Sequence, residues 1–351
     1  ENLDYIEAVK AVAQMAGVSM PEDGYDDTLS KQRLRLLNAN REAARFYHEC
    51  LMKPQNREAL DYFLRRGLDM STIRRFGLGY APDDWRELIN HLKSKGFTVQ
   101  ELVHANLARR SDKNGRANYY DNFRNRVMFP IINIRGNVIG FSGRAMPGED
   151  KAGGKYVNTA DTPVYKKSEN LFAMNFAKNN CAERIVLVEG NMDVVSLHQA
   201  GFTNAVAALG TAFTPEQAKL LTKYTQEIVL MLDADEAGQK AMRRAGEVLK
   251  ETGLKVRVVL VPDGKDPDEY IKKNGASKFK MLLDGAVNEI EYKLLTAVQN
   301  IDTESDDGRL KYLNAAAEIL AGTSDIITRD IYIGRLSEKY GVSRTALETK
   351  I

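Results

Sequence analysis

The sequence predicts an α/β fold built around a mainly parallel sheet with helices on both faces. Two apolar runs, 185–188 and 228–232, are rich in β-branched residues and Leu, and each stops at an acidic residue. Runs of this kind are typical of strands buried on both sides. Strand-like and helix-like segments alternate from Glu183 to Glu251, which favours right-handed crossovers and parallel pairing. A mixed helical and β region that is basic precedes the sheet and a helical region follows it, so the whole chain is predicted to be α+β.

Length and composition are those of a globular protein with more than one domain. The chain has 351 residues, of which 43% are apolar and 28% charged, and we divide it into residues 1–182, 183–270 and 271–351. No apolar run approaches the roughly 18 residues of a membrane span. The start at Glu1 has neither an initiator Met nor an apolar signal core, which predicts a cytoplasmic protein and a fragment of a longer chain.

Charge is unevenly distributed along the chain. The formal net charge is only +2, but residues 109–178 contain 13 Lys or Arg against 6 Asp or Glu, which leaves a local net charge of +7. A basic region beside an acidic site suits a polyanionic substrate whose phosphates meet both. A solvated basic face without a ligand is the alternative interpretation.

Helix signals dominate the first hundred residues. Gly67 and Gly96 stand where two of these helices are predicted to end. Asp84 is predicted to cap one helix, and Thr98 begins a capping box with Glu101 for the next. The predicted helices cover residues 5–15, 31–52, 56–66, 71–76 and 85–95 and the segment after Thr98.

A hairpin and a glycine-rich segment follow these helices. Residues 126–134 read as a strand, a turn follows at Arg135-Gly136-Asn137, and residues 138–141 return. The segment from Gly148 to Lys167 does not match a phosphate-binding loop, because Glu149 replaces the first Gly and Tyr156 replaces the metal-binding Ser or Thr. We therefore predict a mobile basic loop there.

Acidic residues follow the predicted strands of the parallel sheet. Glu189 ends the first strand, and Asp233 with Asp235 ends the strand over 228–232. The carboxyl ends of parallel strands meet at one edge of a sheet, where ligands bind. Carboxylates brought together there repel one another unless a cation neutralises them, and Mg²⁺ prefers carboxylate oxygens. The sequence therefore predicts a divalent metal site at this edge.

Two further strands complete the predicted sheet. Residues 205–209 end at Gly210, and residues 256–261 precede an acidic loop that contains Asp266 and Asp268. Cys50 and Cys181 have no Cys or His at ligand spacing, so no structural zinc is predicted in this chain. Helices are predicted over 193–199, over 214–224 behind a Thr214 capping box, over 236–251, and from Asp268 to Ile351 with a break at 302–308.

Several of these segments together resemble a known family. A strand that ends in Glu-Gly and a strand that ends in Asp-x-Asp are similar to the Toprim module of primases, topoisomerases and related nucleases. Segments 188–195 and 208–212 resemble the primase version of that module, although Asn191 stands where Tyr is usual. Segments 124–131, 140–144, 155–159 and 161–167 resemble the basic subdomain of bacterial primases. The chain is thus identified as similar to the RNA-polymerase domain of bacterial DnaG-type primases, with a central Toprim-type parallel sheet.

This resemblance implies roles for the acidic residues. Glu189, Asp233 and Asp235 would be catalytic and would hold two metal ions, with Glu189 as general base the alternative. Asp266 and Asp268 would hold a further ion or position the triphosphate; the alternative is that this pair turns the chain and caps the next helix. Asp193 would orient a basic neighbour, unless it is simply an acid at a helix N-terminus.

The same resemblance implies a nucleic-acid and nucleotide surface. Its predicted residues are Arg66, Arg144, Lys155, Tyr156 and Lys167, together with Asp193. Arg124 and Arg126 are predicted to contact nucleic-acid backbone or to pack as surface residues. Tyr119, Tyr120 and Phe123 are candidates to stack on bases, with core packing the expectation for at least one of them.

The implied activity is that of a DNA-directed RNA polymerase that makes short RNA primers on single-stranded DNA for replication. Two or three Mg²⁺ or Mn²⁺ ions, ribonucleoside triphosphates, the RNA primer and a replicative helicase would be its cofactors and partners, and no membrane is involved. The helicase is expected to bind through a region absent from this chain. Two alternatives stay open: another Toprim enzyme, either topoisomerase or nuclease, and a non-catalytic module that binds single-stranded DNA.

Overall fold

The structure is a computed structural model that describes most of the chain. The described residues are 12–13, 15–16, 27–113, 116–148, 154–210, 212–231, 236–259, 261, 266–299, 301–323 and 325–351. Of the helix predicted over 5–15, residues 12, 13 and 15 are described and are helical. Asp233 and Asp235 lie outside the described residues, so the predictions made for them are not addressed by the structure.

The first region combines helices with antiparallel strands, as predicted. Helix α1 packs across a four-stranded sheet of order β1-β4-β5-β6, and β2 and β3 form a separate two-stranded hairpin. The elements in chain order are α1 (Asp27–Met52), α2 (Arg57–Arg65), α3 (Met70–Phe76), β1 (Gly79–Ala81), α4 (Glu87–Ser94), α5 (Val99–His104), β2 (Ala108–Lys113), β3 (Arg116–Asp121), β4 (Arg126–Ile132), β5 (Val138–Ala145), β6 (Tyr156–Asn158) and α6 (Met174–Ala177).

Two predictions for this region need correction. The segment predicted as a mobile loop contains β6, which pairs antiparallel with β5 from Ser142 to Arg144. The helix α4 is not capped by Asp84; among the described residues, its carboxylate accepts from the Arg86 N–H, which lies outside the helix. The carboxylate of Asp121, at the end of β3, accepts the helix N–H groups instead. A residue distant in sequence therefore supplies the cap that local spacing assigned to Asp84.

The second region contains the predicted parallel sheet. All three strand pairings are parallel and the strand order is β10-β9-β7-β8, so the first strand lies between the second and the third. The Thr214 capping box is present and begins the helix at Pro215. The elements are β7 (Ile185–Val188), α7 (Asn191–Gln199), β8 (Ala205–Ala207), α8 (Pro215–Leu221), β9 (Glu227–Leu230), α9 (Glu236–Lys250), β10 (Lys255–Val258) and α10 (Pro267–Asp284).

Alternating side chains of these strands face two different clusters. Val186 and Val188 of β7 belong to one cluster with residues of α7 and α10, whereas Ile185 and Leu187 belong to the other with residues of α8 and α9. Helices therefore cover both faces of the sheet, which confirms the prediction. It also explains why the strand sequences are continuously apolar instead of alternating.

The antiparallel and parallel sheets share a hydrophobic core. Val127, Phe129 and Ile131 of β4 lie in the same cluster as Val186 and Val188 of β7. The connecting segment adds backbone pairing, because the Phe172 N–H donates to the Ala207 carbonyl of β8 at 2.8 Å. The two sheets are thus packed against each other beside the carboxyl edge of the parallel sheet.

The last region is helical, as predicted, and has a core of its own. Leu294, Tyr312, Ile333 and Leu347 are buried in one cluster that joins its helices. No helix of the described residues is long and apolar enough to cross a membrane. The helices are α11 (Glu289–Val298), α12 (Asp306–Ala321), α13 (Ile326–Tyr340) and α14 (Arg344–Lys350).

Candidate catalytic and nucleic-acid site

The carboxyl edge of the parallel sheet has a topological switch point. From β7 the chain crosses to β8 on one side, and β9 lies on the other side. A crevice opens outside the strand ends at such a point, and it is the usual ligand site of open α/β sheets. Glu189 follows β7 directly and is exposed there. The segment with Asp233 and Asp235 follows β9, the neighbouring strand, beyond the described residues.

The turn after Glu189 is fixed by Gly190 and Asp193. Asp193 is the third residue of α7, and its Oδ2 accepts a hydrogen bond from the Gly190 N–H at 3.1 Å. A Cβ at position 190 would lie only 2.6 Å from that oxygen, so a larger residue would displace the Asp193 carboxylate from this bond. Asp193 is buried. It therefore acts at least as the acid at a helix N-terminus, one of the two roles weighed for it.

Two aromatic rings flank Arg144 of β5. The guanidinium carbon lies 5.5 Å from the Tyr62 ring centroid and 5.6 Å from that of Tyr156. Arg144 Nη1 also donates to the Tyr156 hydroxyl at 3.3 Å. Burial raises the pKa of the Tyr156 phenol, and the carboxylate of Asp193 raises it further. Tyr156 of β6 therefore lies within electrostatic range of Asp193 in the first turn of α7.

Arg66 and Asp268 meet on the neighbouring side of α7. Asp268 is 1% exposed and accepts three hydrogen bonds. Its Oδ2 accepts from Arg66 Nη1 at 3.3 Å and from Lys272 Nζ at 2.5 Å, and its Oδ1 accepts from Ser196 Oγ at 2.5 Å. Asp266 caps α10 through the Glu269 N–H at 2.7 Å. The capping that was the alternative for this acidic pair is present at Asp266, while a metal role for either residue stays a prediction.

The lysines predicted to bind nucleic acid lie on segments fixed by their backbone atoms. Lys155 is exposed, and its carbonyl accepts from the Ala145 N–H at 2.9 Å. The Lys167 carbonyl accepts from Gln217 Nε2 of α8 at 3.0 Å. Because α8 follows the end of β8, this bond holds Lys167 beside the carboxyl edge of the parallel sheet.

Arg126 was predicted to contact nucleic-acid backbone or to pack at the surface, but it lies inside the protein. It is buried, and its guanidinium donates to the carbonyls of Gly143, Gly154 and Lys155 at 3.1 to 3.4 Å. These bonds connect β5 to the segment that leads into β6. Arg126 therefore holds the backbone beside Lys155 and Tyr156 in place.

An exposed aromatic residue was missed by the sequence analysis. Trp85 is 62% exposed, and its ring lies 5.5 Å from that of Tyr120. The Arg124 guanidinium lies over both rings, at 4.2 Å from Trp85 and 5.2 Å from Tyr120. Phe123, by contrast, is buried in the core, as expected for at least one of the aromatic candidates. Trp85, Tyr120 and Arg124 form a surface that we call the Trp85 platform.

Family models match three successive parts of the chain. Residues 46–178 match the N-terminal domain of the DNA primase catalytic core, and residues 186–271 match a Toprim-like domain. Residues 290–345 match the DnaB-helicase binding domain of primase. The parallel sheet with its acid-ended first strand is thus that of a Toprim-like protein, joined to a primase-type basic region.

Similar proteins are bacterial primases. The DNA primase of Clostridium acetobutylicum is 42% identical over 351 residues, which are 99% of this chain and 57% of that protein. The RNA polymerase domain of the Mycobacterium tuberculosis primase DnaG, solved with double-stranded DNA, is 34% identical with a TM-score of 0.80, over 89% of this chain and 99% of that one. A DnaG catalytic domain solved with single-stranded DNA is 31% identical with a TM-score of 0.71, over 90% and 99%.

The chain therefore belongs to the bacterial DnaG-type primase family and corresponds to its RNA polymerase domain. It spans 57% and 58% of the Clostridium acetobutylicum and Halalkalibacterium halodurans primases. One expectation is corrected by the family models. The helicase-binding region was expected outside the chain, but residues 290–345 match the model that describes it. The packed helices of that segment carried no local motif that indicated a partner.

Proposed function

We propose that this chain synthesises short RNA primers on single-stranded DNA, as a template-directed RNA polymerase that uses ribonucleoside triphosphates. The observation that carries this proposal is the hydrophobic core that the two sheets share. Val127 and Phe129 of β4 lie in one cluster with Val188 of β7, so the basic sheet packs beside the strand whose carboxyl end is followed by Glu189. A site with acids on one wall and cations on the other suits a reaction between phosphate-bearing substrates.

Glu189, Asp233 and Asp235 are the proposed ligands of two divalent ions, Mg²⁺ or Mn²⁺, and no zinc is proposed for this chain. The exposed carboxylate of Glu189 at the strand end fits an oxygen-preferring ion. When bound, such ions lower the barrier to attack of a 3′-hydroxyl on an α-phosphate and stabilise the departing pyrophosphate. Asp266 and Asp268 are proposed as the acids nearest the triphosphate. A third ion held by this pair has the least support, because the Asp268 carboxylate already binds Arg66, Lys272 and Ser196.

The cationic and aromatic residues would hold the nucleic acid and the nucleotide. Arg144 lies beside the Tyr62 ring, and Arg66 lies beside the Asp268 carboxylate. Both would present fixed guanidinium groups to phosphates. Lys155 and Lys167 would add charge from segments that their own backbone atoms hold in place. The Trp85 platform would stack on template bases, because an exposed indole beneath an arginine is a sequence-tolerant base-binding surface.

A replicative helicase is the proposed protein partner. The match of residues 290–345 to the DnaB-helicase binding domain of primase supports this assignment. The relatives named above are primases, and one catalytic domain was solved with single-stranded DNA. We place the activity in the cytoplasm at the replication fork, where single-stranded template, helicase and nucleotides occur together.

Replacement of Asp233 by Asn tests the proposed activity. Primer synthesis would be measured on single-stranded DNA with labelled nucleotides in Mg²⁺. The variant is expected to lose roughly 100-fold or more of its rate, because metal-ion catalysis contributes several kcal/mol to barrier lowering. Asp302→Asn, a change in the acidic loop before α12, is the matched control and should synthesise primers normally.

The same preparation distinguishes the alternatives. A topoisomerase would relax supercoiled DNA and a nuclease would cleave it, whereas a binding module would retain single-stranded DNA without any chemistry. If the wild type makes RNA product and a folded Asp233→Asn variant makes it equally well, the metal assignment of Asp233 is refuted. Absence of RNA product from the wild type on several templates and with both metals would remove the proposed activity itself.

A further inference from the structure

The N-terminus of α4 is capped by a residue of another element. Arg86, at the N-cap position of this helix, makes no side-chain cap hydrogen bond. The carboxylate of Asp121, at the end of β3, accepts from the Leu88 N–H at 2.8 Å and from the Ile89 N–H at 3.0 Å. Asp121 therefore satisfies two N–H groups that the helix itself leaves without partners.

The backbone of Asp121 contacts the Trp85 platform on two sides. Its N–H donates to the Trp85 carbonyl at 2.7 Å, and its own carbonyl accepts from Arg124 Nη1. Arg124 in turn lies over the Trp85 ring at 4.2 Å. Asp121 thus connects the chain just before α4 with the arginine that covers the indole.

The side chain of Asp121 is unusual in its environment. It is only 3% exposed, although its nearest hydrogen-bond donors on α4 are neutral N–H groups. Burial raises the pKa of this carboxyl group to about 6, against the lowering effect of those two hydrogen bonds. An apolar side chain would avoid the desolvation cost of the carboxylate, but it would leave the Leu88 and Ile89 N–H groups without acceptors. A requirement to fix the geometry of α4 explains why an acid is present.

We infer that Asp121 is a positioning residue that holds Trp85 in the orientation in which it stacks on bases of the single-stranded template. The inference rests on the proposed function, because it assumes that the Trp85 platform binds the template. Without the two side-chain bonds, the first turn of α4 would be held to β3 less tightly, with the Asp121 N–H bond to the Trp85 carbonyl retained. Trp85 precedes the helix by two residues, so its ring would move with that segment.

The sequence offers a direct optical test, because Trp85 is the only tryptophan among the 351 residues. Its fluorescence is followed while a 12-nucleotide single-stranded DNA is added to the whole chain. In the wild type, stacking should quench the emission and yield a dissociation constant. In Asp121→Ala, we expect altered emission of the free protein and binding weaker by roughly 5-fold to 100-fold, the range for loss of one base–aromatic stack.

Two further variants separate positioning from general destabilisation. Asp121→Asn keeps one acceptor for the helix N–H groups, so its binding should be intermediate and its fold should survive if the Ala variant does not fold. Asp69→Ala is the matched control, because it removes an aspartate that caps α3 through the Thr72 N–H without contacting the platform. It should lose stability but bind DNA with nearly wild-type affinity and quenching.

The outcomes distinguish this inference from the function on which it rests. If DNA does not change the fluorescence of the wild type, the platform does not bind the template and that part of the proposed function fails. If the wild type responds and a folded Asp121 variant binds and is quenched equally well, the positioning role is refuted. Equal losses in the Asp69 and Asp121 variants would likewise show that Asp121 acts only through stability.

Discussion

Asp268 has two candidate roles, as a structural anchor and as a metal ligand. The two roles predict opposite effects of Asp268→Asn on the free energy of unfolding in the absence of metal. Its carboxylate is 1% exposed and binds Arg66 of the segment after α2, Ser196 of α7 and Lys272 of α10. If these contacts define its role, Asp268 is an anion that holds the segment bearing Arg66 against two other helices. If it is mainly a metal ligand, its negative charge should destabilise the metal-free protein.

The expected size of the effect follows from burial. Removal of one partner from a buried ion pair costs about 3–5 kcal/mol. The side chains of Arg66 and Lys272 are 32% and 36% exposed, and solvent screening there reduces the expected loss to about 2–4 kcal/mol for Asp268→Ala. Asp268→Asn keeps an oxygen acceptor for Ser196, so a loss of about 1–3 kcal/mol is expected.

Urea unfolding with and without Mg²⁺ is the assay. The anchoring role predicts that Asp268→Asn lowers the free energy of unfolding by the same amount in both conditions. It also predicts that Asp266→Asn changes stability little, because Asn caps the start of α10 as well as Asp does. Ser196→Ala, which removes one hydrogen bond to the carboxylate, should lie between these two variants.

The metal role predicts the opposite pattern. Neutralising one of several mutually repelling acids would stabilise the metal-free protein, and Mg²⁺ would then stabilise the wild type more than the variant. A metal-free Asp268→Asn protein at least as stable as the wild type would therefore refute the anchoring argument. Nucleotide binding that loses its dependence on divalent ion in this variant would strengthen the same conclusion.

Three further predictions concern charged residues of the first region. Arg144→Ala should weaken binding of single-stranded DNA and reduce the slope of its log affinity against log salt by about 0.7 per lost phosphate contact, as measured by titration at several salt concentrations. Arg126→Ala should lower the free energy of unfolding by about 3–5 kcal/mol in urea denaturation, because it removes the charge-assisted hydrogen bonds to the Gly143 and Gly154 carbonyls, and Arg126→Lys should restore little of it. Burial and Asp84 raise the pKa of Asp121 to about 6, against the lowering effect of Arg124. The free energy of unfolding of the wild type should therefore be highest near pH 4 and fall as the pH rises through 6. Relative to Asp121→Asn, this fall should reach up to about 3 kcal/mol.

The parallel sheet could be predicted because its signals are local. Each strand is a short apolar run, and the helix after residue 214 begins at a capping box with a first-turn proline. The ends of β9 and β10 were placed two or three residues too late, since the apolar runs continue past the last paired residues, Leu230 and Val258. Hydrophobic periodicity identifies an element but does not define where its pairing stops.

The hairpin of β2 and β3 was missed for the opposite reason. Its strands are almost entirely polar, ARRSDK and RANYYD, so they carry no apolar alternation. The available signal was the dipeptide Asn114-Gly115 between them, which is the strongest short hairpin signature in a sequence. Because this hairpin ends at Asp121 and carries Tyr120, its omission also concealed the Trp85 platform.

Several charged residues have partners that are distant in sequence and that the sequence could not predict. Arg126 binds carbonyls up to 29 residues away, and Asp268 binds Arg66 across 202 residues. Nothing in the local sequence separates these buried charges from exposed ones such as Lys155. An excess of basic residues therefore indicates that a region meets a polyanion, but it does not identify the residues that do so. Arg126 and Asp121 instead bind protein backbone, and Asp268 binds the Arg66 guanidinium. A charged site of this kind therefore contains buried charges that hold the protein as well as exposed charges that are available to a polyanion.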